Sequence, residues 1–299
     1  MVCSYYTRRY PYALADICID VIGSLAFQRL IARRSRDPGL AHEKCPYTKR
    51  CCSGGVDLDF LVVCALEEER DGFKFANIEK VSEVVIGGLN IHYVRMFGER
   101  EHFGALMRLG QIGLVASTFE TAWALNVFRV KILCMSGICA GFAGEANLGQ
   151  LIVASPAWEY QAGKWSKNGF EIAPTQVPLK AQTRTTIDHV LAKEEFASYL
   201  EANIDPHCLR PSLRSRAVLA PFATGSAVIA DAKRLVHIEK QHRKVAALDM
   251  ETFGVYFAAH EATSSLQHYF SIKCVVDLAD LAKSDDLHRL RLLRIGKGD

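Results

Sequence analysis

Acidic side chains occur at three places in the sequence where an apolar run ends. They are Glu69 after residues 58–66, Asp249 and Glu251 after residues 244–248, and Asp277 and Asp280 after residues 269–276. Grouped carboxylates can act as general acid and general base in bond cleavage, and one carboxylate can accept two hydrogen bonds. Acids near strand ends also serve as helix caps or solvated turns, so the residue types alone leave both interpretations open.

The apolar runs before these acids are typical of buried parallel strands. In open α/β sheets the ligand crevice lies at the carboxyl ends of the strands. We therefore expect the three acidic segments, which are far apart in sequence, to converge on one pocket.

Further apolar patterns alternate between strand and helix through most of the chain. We predict strands at 58–66, 131–138, 150–155, 216–225, 244–250 and 269–277, a hairpin over 82–97, and helices near 113–128, 187–203, 231–242 and 251–262. This order predicts an α/β domain with a central, largely parallel sheet. The absence of a GxGxxG motif between a strand and a helix argues against a dinucleotide-binding fold.

The composition suits one large domain, alone or with an appendage. The chain has 299 residues, 49% of them hydrophobic, and a formal net charge of +3, which gives no case for nucleic-acid binding. Residues 1–55 differ from the rest, with nine Lys and Arg against four Asp and Glu. We divide the chain into a basic, cysteine-containing extension of unknown role (1–55) and a domain (56–299).

The ten cysteines show neither zinc-like nor disulfide-like spacing. Cys64, Cys134 and Cys274 lie in apolar, strand-like runs, which favours a reducing, cytoplasmic location. No apolar stretch reaches about 18–20 residues free of charge, so we expect no membrane span. The histidines are scattered without a metal partner at useful spacing, and we expect catalysis without a metal.

Six segments, taken together, resemble the nucleoside phosphorylase and nucleosidase family, especially the methylthioadenosine/S-adenosylhomocysteine nucleosidases. They are VVCALEEE (62–69), LGQIG (109–113), MSGICAG (135–141), GSAVIAD (225–231), ALDMETFGVYFAA (247–259) and VVDLAD (275–280). The resemblance covers residues 57 to about 286. It implies a three-layer α/β/α fold with a mixed, largely parallel sheet. It also implies a homodimer that binds a small purine nucleoside or nucleotide without a cofactor.

The resemblance implies a separate role for each of three carboxylates. Asp277 would protonate N7 of the purine, which requires its pKa to be raised by burial or a neighbouring carboxylate. Glu69 would position and deprotonate the attacking water. Glu251 would accept hydrogen bonds from both ribose hydroxyls.

The other implied contacts surround the substrate. They are Met250 against the sugar, the backbone at Val228 and Ile229 against the base, Ile138 and Cys139 beneath base and ribose, and Leu66 at the 5′ end. No base is indicated beside Cys139, so we expect it to pack rather than act as a nucleophile.

The sequence departs from the family pattern in three places. Val276 stands before Asp277, where the family usually has Ser or another small residue that orients the acid. Asp249 replaces the usual Glu before Met250. The basic tail 287–299 lacks the amphipathic C-terminal helix that normally covers the last strand.

Three functions remain open on the sequence. The first is hydrolysis of a purine N-glycosidic bond, with adenine as the expected base. The second is phosphorolysis, which needs cationic residues around phosphate. The third is a weakly active nucleotide-binding module in regulation or defence. Leu66 favours an alkylthio group at the 5′ end of the substrate, whereas Arg70 and Lys283 favour the phosphates of AMP or ATP.

Overall fold

The computed structural model of the chain describes residues 18–19, 21–23, 55–97, 101–167, 169–173, 175–193, 217–229, 232–262 and 266–278. The strands are β1 (Val56–Cys64), β2 (Ile78–Ile86), β3 (Leu89–Phe97), β4 (Glu101–Arg108), β5 (Phe128–Gly141), β6 (Leu151–Glu159), β7 (Gly163–Ser166), β8 (Gly169–Ile172), β9 (Gln176–Val177), β10 (Val218–Thr224), β11 (Ala247–Asp249) and β12 (His268–Leu278). The helices are α1 (Glu67–Asp71), α2 (Leu114–Val127), α3 (Ala181–Leu191), α4 (Ala232–Glu239) and α5 (Thr252–Glu261).

Most described strands join one sheet, in the order β11-β10-β6-β12-β5-β1-β4-β3-β2. Strands β4, β1, β5 and β12 run parallel, whereas β2, β3 and β4 form an antiparallel meander. Strand β11 pairs with both β10 and β5, so β5, β12, β6, β10 and β11 close into a ring. The predicted α/β class with a mixed sheet is confirmed.

The predicted hairpin over 82–97 is confirmed as β2 and β3. Its two-residue turn is Gly87-Gly88, with φ angles of 59° and 83°. A turn with positive φ at both central positions matches the twist of the flanking strands and favours glycine. A Cβ at Gly87 would also meet the ring of Trp123, so the turn needs glycine for space as well.

Helix α2 confirms the predicted helix near 113–128, but two apolar residues of its first half face outward. Val115 and Phe119 are 77% and 70% exposed, while Ser117 and Thr121 are buried against α5. The reason is the close approach of the two helices: a Cβ at Gly254 of α5 would meet Ser117 Oγ. Where α2 crosses α5, only small and hydroxyl side chains fit. The buried face of α2 therefore contains Ser117 and Thr121 and cannot be identified from hydrophobicity alone.

The predicted start of a helix at residue 187 is wrong, because α3 begins at Ala181 and includes a buried Thr183 and Thr186. These threonines belong to the buried face with Ile187, Val190 and Leu191, and a search for apolar residues misses its first turn. The prediction for 194–203 lies outside the described residues. None of the described helices is both long and apolar enough to cross a membrane.

Candidate active site

The carboxyl end of β5 connects all three acidic segments. Ile138 N donates a hydrogen bond to Glu69 Oε1 (2.9 Å). Ala140 pairs with Leu248 of β11, immediately before Asp249, and also with Asp277 of β12. The strand pairing therefore brings the three acidic segments together at one edge of the sheet, as predicted.

Glu69 is the buried member of the Glu67–Glu69 triplet. Its Oε2 accepts hydrogen bonds from Ala65 N (2.9 Å) and Leu66 N (3.0 Å), in addition to the Ile138 contact at Oε1. Burial raises the pKa of Glu69, while Lys273 and these N–H groups oppose that rise. A Cβ at Gly137 would meet the Glu69 carboxylate, so glycine at this position permits the close approach to β5.

Asp249 ties β11, α5 and β10 together. It accepts hydrogen bonds from Thr224 Oγ1 (2.9 Å), Thr252 Oγ1 (2.6 Å) and the backbone N–H groups of Glu251 and Thr252. Thr252 begins α5, so this short carboxylate satisfies N–H groups that a helix start leaves open. The shorter Asp, in place of the family's usual Glu, thus reaches these nearby donors directly.

Glu251 lies at the junction of two helices. It precedes α5, and its Oε1 accepts a hydrogen bond from Gly113 N (3.0 Å), which precedes α2. A carboxylate at a helix N-terminus is stabilised by the backbone N–H groups there. Desolvation nevertheless raises the pKa of Glu251, and the charges of Asp249 and Glu69 add to the rise while Lys273 and Gly113 N oppose it; the net result is a pKa of about 7.

Lys273 is a candidate site residue that the sequence analysis missed. Its side chain, from β12, is completely buried, with Nζ 3.2 Å from Asp249 Oδ2 and 4.0 Å from Glu251 Oε2. Burial lowers the pKa of Lys273, but Asp249, Glu69 and Glu251 raise it by more, so the ammonium stays charged. A lysine inside an apolar strand pattern was the available signal, because buried lysines need acidic partners. We call Glu69, Asp249, Glu251 and Lys273 the charged cluster.

Asp277 lies at a bulge in β12. Val275 pairs with Cys139 and Asp277 with Ala140, so Val276 is the extra residue. A bulge reverses the face that the next side chain takes, and bulges commonly redirect side chains beside active sites. Val276, noted as a departure from the family, is therefore the residue that sets the direction of Asp277, which is half-buried.

The predicted base-binding segment is anchored at several points. Gly225 N donates to Asp249 O (3.1 Å), Ser226 N to Gln161 Oε1 (2.7 Å), and Tyr160 Oη to Ala227 O (2.9 Å). Ile229 is buried in a small apolar cluster with Trp158 and Leu248, whereas Val228 is 70% exposed. The backbone of this segment is therefore held in place, while the Val228 side chain remains exposed and can contact a ligand.

The remaining predicted contacts differ in exposure. Leu66, Ile138 and Met250 are half-buried, and Cys139 is buried. Burial raises the pKa of the Cys139 thiol well above its ordinary value, which keeps it uncharged and fits a packing role. We call Leu66, Ile138, Val228, Met250 and Asp277 the rim residues. Asp280 and Lys283 lie outside the described residues.

Arg70 is turned into local contacts. Its guanidinium donates to Asn90 Oδ1 (3.1 Å), Glu67 Oε1 (3.2 Å) and Asp71 Oδ1 (3.4 Å). Two carboxylates therefore balance its charge, which weakens the argument that Arg70 binds phosphate. Within the described ranges, no cluster of three or more His, Cys, Asp and Glu side chains could hold a metal ion.

The fold and the site define an α/β protein with buried carboxylates gathered at the carboxyl edge of its sheet. The chain belongs to the phosphorylase superfamily, whose family model matches residues 59–292. The resemblance stated from the sequence segments is confirmed.

Three curated relatives extend this comparison. The uncharacterized protein y4jS of Sinorhizobium fredii (strain NBRC 101917 / NGR234) is 31% identical over 64% of this chain and 47% of its own length. ATP nucleosidase Cap17 of Escherichia coli (strain KTE188) is 22% identical over 62% of this chain and 38% of its own. A 5′-methylthioadenosine/S-adenosylhomocysteine nucleosidase of Geobacillus thermodenitrificans (strain NG80-2) is 25% identical over 65% and 74%. The chain spans less than half the length of the first two.

A solved structure shows the same fold. The 5′-methylthioadenosine/S-adenosylhomocysteine nucleosidase of Neisseria meningitidis, in complex with methylthio-immucillin-A, superposes with a TM-score of 0.56 and 15% identity. The match covers 75% of this chain and 88% of the other. The nucleoside phosphorylase-like fold is confirmed.

Proposed function

We propose that the protein hydrolyses the N-glycosidic bond of an adenine nucleoside or nucleotide and releases free base. The observation that carries this proposal is the charged cluster: three buried carboxylates around one buried ammonium. Cleavage of a ribosyl bond passes through an oxocarbenium-like state, in which the sugar becomes positive. A buried cluster with excess negative charge stabilises that state more than the neutral substrate.

In this mechanism Glu69 is the base for the attacking water. A carboxylate offers about four lone-pair sites, and the N–H groups of Ala65, Leu66 and Ile138 occupy three of them. One site remains for the water. The raised pKa of Glu69 supports the role, since a base works best when its pKa approaches the working pH.

Lys273 supplies the donor that the water needs on its other side. Its Nζ forms ion pairs with Asp249 and Glu251 but no hydrogen bond of good geometry with any described residue. A buried ammonium has three N–H bonds to satisfy, and a water oxygen can accept one. The same charge opposes the rise in the pKa of Glu69 and Glu251 and so favours their ionised forms.

Glu251 binds the ribose hydroxyls, and Asp277 acts on the base. Gly113 N holds Glu251 Oε1, which leaves Oε2 and the remaining lone pairs for ligand. Asp277 donates its proton to N7 as the bond from C1′ to N9 breaks, and the electron pair stays with the purine. Water then adds to C1′ and gives its proton to Glu69.

Hydrolysis is favoured over phosphorolysis by charge. Phosphate is an anion, and the charged cluster would repel it. Arg70, the nearest arginine in sequence to Glu69, is already balanced by Glu67 and Asp71. Adenine is favoured as the base because the relatives named for a substrate act on methylthioadenosine, S-adenosylhomocysteine or ATP.

Product analysis tests the proposal. The protein is incubated with adenosine, methylthioadenosine, AMP and ATP, with and without inorganic phosphate, and the products are separated by chromatography. We expect free adenine at the same rate with or without phosphate. Ribose 1-phosphate formed only with phosphate would establish phosphorolysis instead. Retained binding without turnover would favour the nucleotide-binding module.

Asp277→Asn tests the assignment of the acid. The amide cannot donate a carboxyl proton, so release of adenine should stop while the ligand still binds. Calorimetry with a non-reacting analogue measures that binding. Near-normal turnover by the variant would refute the role of Asp277.

The proposed enzyme is a homodimer. Ile112, Val115 and Phe119 form an exposed apolar stripe on and before α2, next to Gly113, which contacts Glu251. A second copy would bury this stripe beside the pocket. Light scattering after gel filtration should give twice the chain mass, and Phe119→Asp should give the monomer. A monomeric wild-type protein at micromolar concentration would contradict this.

A further inference from the structure

Part of the N-terminal extension lies inside the domain core. Cys18, Ile19, Val21 and Ile22 are all buried, in the same apolar cluster as residues of β1, β5 and β12. The described residues here, 18–19 and 21–23, are helical. We call them the N-terminal segment. It lies before residue 59, where the match to the family model begins.

The N-terminal segment contacts the central strands. Cys18 Sγ lies 3.6 Å from Cys134 Sγ of β5, and both side chains are completely buried. Cys134 pairs with Val62 of β1 and Phe270 of β12. The segment therefore packs where β5 runs between β1 and β12, the strands that lead to Glu69 and Asp277.

The contacted strands lead directly to the donors that hold Glu69. Cys134 is four residues before Ile138, and Cys64, at the end of β1, immediately precedes Ala65. Burial raises the pKa of Cys64, and the charges of Glu69 and Cys18 add to that rise, so both groups lie within electrostatic range of this thiol. Movement of β1 against β5 would change the spacing between the Ala65 and Ile138 donors.

We infer that the N-terminal segment is a positioning element for Glu69, in addition to a part of the core. It acts through β1 and β5, and it fixes the two strand ends from which the water-activating carboxylate is held. This inference rests on the proposed function for its effect on rate. Its structural part, the fixing of the Glu69 donors, does not.

Two buried isoleucines provide a matched test. Ile22 in the segment is 1% exposed, and Ile187 of α3, in the same apolar cluster, is 0% exposed. Ile22→Ala and Ile187→Ala in the full chain remove the same atoms, and each should lower Tm by about 5–15 °C. Ile22→Val, which removes one methylene, is the milder variant if Ile22→Ala does not fold.

The readouts are hydrogen exchange and kinetics, both measured well below the lower Tm. Ile22→Ala should speed exchange about tenfold in peptides that cover residues 60–69 and 131–139, and Ile187→Ala should not. With adenine release as the assay, Ile22→Ala should lower kcat about tenfold at nearly constant KM. Ile22→Val should speed exchange in the same peptides about twofold and lower kcat about twofold.

Equal exchange in the two alanine variants, or an unchanged kcat in Ile22→Ala, would refute the positioning role. Failure of the proposed function gives a different result: the wild-type protein releases no base from any nucleoside. The exchange comparison still decides the inference in that case.

Discussion

The charged cluster and the rim residues differ in what holds them. Backbone N–H groups, hydroxyls and the Lys273 ammonium of the protein itself hold the three carboxylates in place. The rim residues are half-buried or exposed, and Val228 is open to contact. The charges that stabilise a transition state are therefore fixed in advance, whereas the surfaces that select a substrate remain available. Changes in the charged cluster should alter rate, and changes at the rim should alter binding, except at Asp277, the proposed acid.

Within the charged cluster, the largest effect is expected from Glu69→Gln. Glutamine cannot take a proton from water, so kcat should fall about 10³-fold. Glu68→Gln, an exposed change in the same triplet, is the control and should leave kcat unaltered. Equal kcat in both variants would remove Glu69 from the mechanism.

Lys273→Met should affect stability as well as rate. Removal of the ammonium leaves buried carboxylates without a counter-charge, which costs about 3–5 kcal/mol of unfolding free energy. Lys131, which pairs with Asp59 at the surface, is the comparison, and Lys131→Met should cost about 0–1 kcal/mol. Urea unfolding measures both values. A similar loss of unfolding free energy in the two variants would show that the buried Lys273 contributes no more to stability than a surface ion pair.

Gly137→Ala should lower kcat about 100-fold with little change in KM, because the added methyl group displaces the Glu69 carboxylate from its donors. Initial-rate kinetics would separate the two constants. A rise in KM at constant kcat would place Gly137 with the rim residues instead.

The pH dependence tests Glu251. Its pKa of about 7 predicts that kcat/KM rises about tenfold from pH 6 to a plateau above about pH 8, as the ribose-binding carboxylate ionises. Stability should change in the opposite direction. The folded state retains this proton above the ordinary pKa of 4.5, so the stability it contributes declines as pH rises from 4.5 through about 7. Glu251→Gln should remove that decline in Tm. An unchanged decline would assign the proton to another group.

The smallest effect is expected from Val228→Ala at the rim. Loss of two methyl groups from an exposed side chain next to the proposed base-binding backbone should raise KM by about three- to tenfold and leave kcat nearly unchanged. A fall in kcat of the size seen with Gly137→Ala would contradict the division between cluster and rim.

The sequence determined the α/β class, most strand positions and the three acidic segments, because each depends on local periodicity and on residue types at strand ends. The hairpin over 82–97 was equally readable, since it depends on two short strand patterns and the turn residues between them. Cytoplasmic location, dimerisation and the individual catalytic roles stay predictions.

Only the tertiary structure decided which charges meet. Lys273 lies in an apolar strand, 22 residues beyond Glu251 in sequence, and its partners follow from the pairing of β12 and β11 with β5. The outward direction of Val115 and Phe119 in α2 and the early start of α3 both depend on packing against neighbouring elements. Such packing buries Ser and Thr where close contact leaves no room for larger side chains. The burial of Cys18 against Cys134 likewise joins residues 116 positions apart, and no local pattern in the sequence encodes that distance.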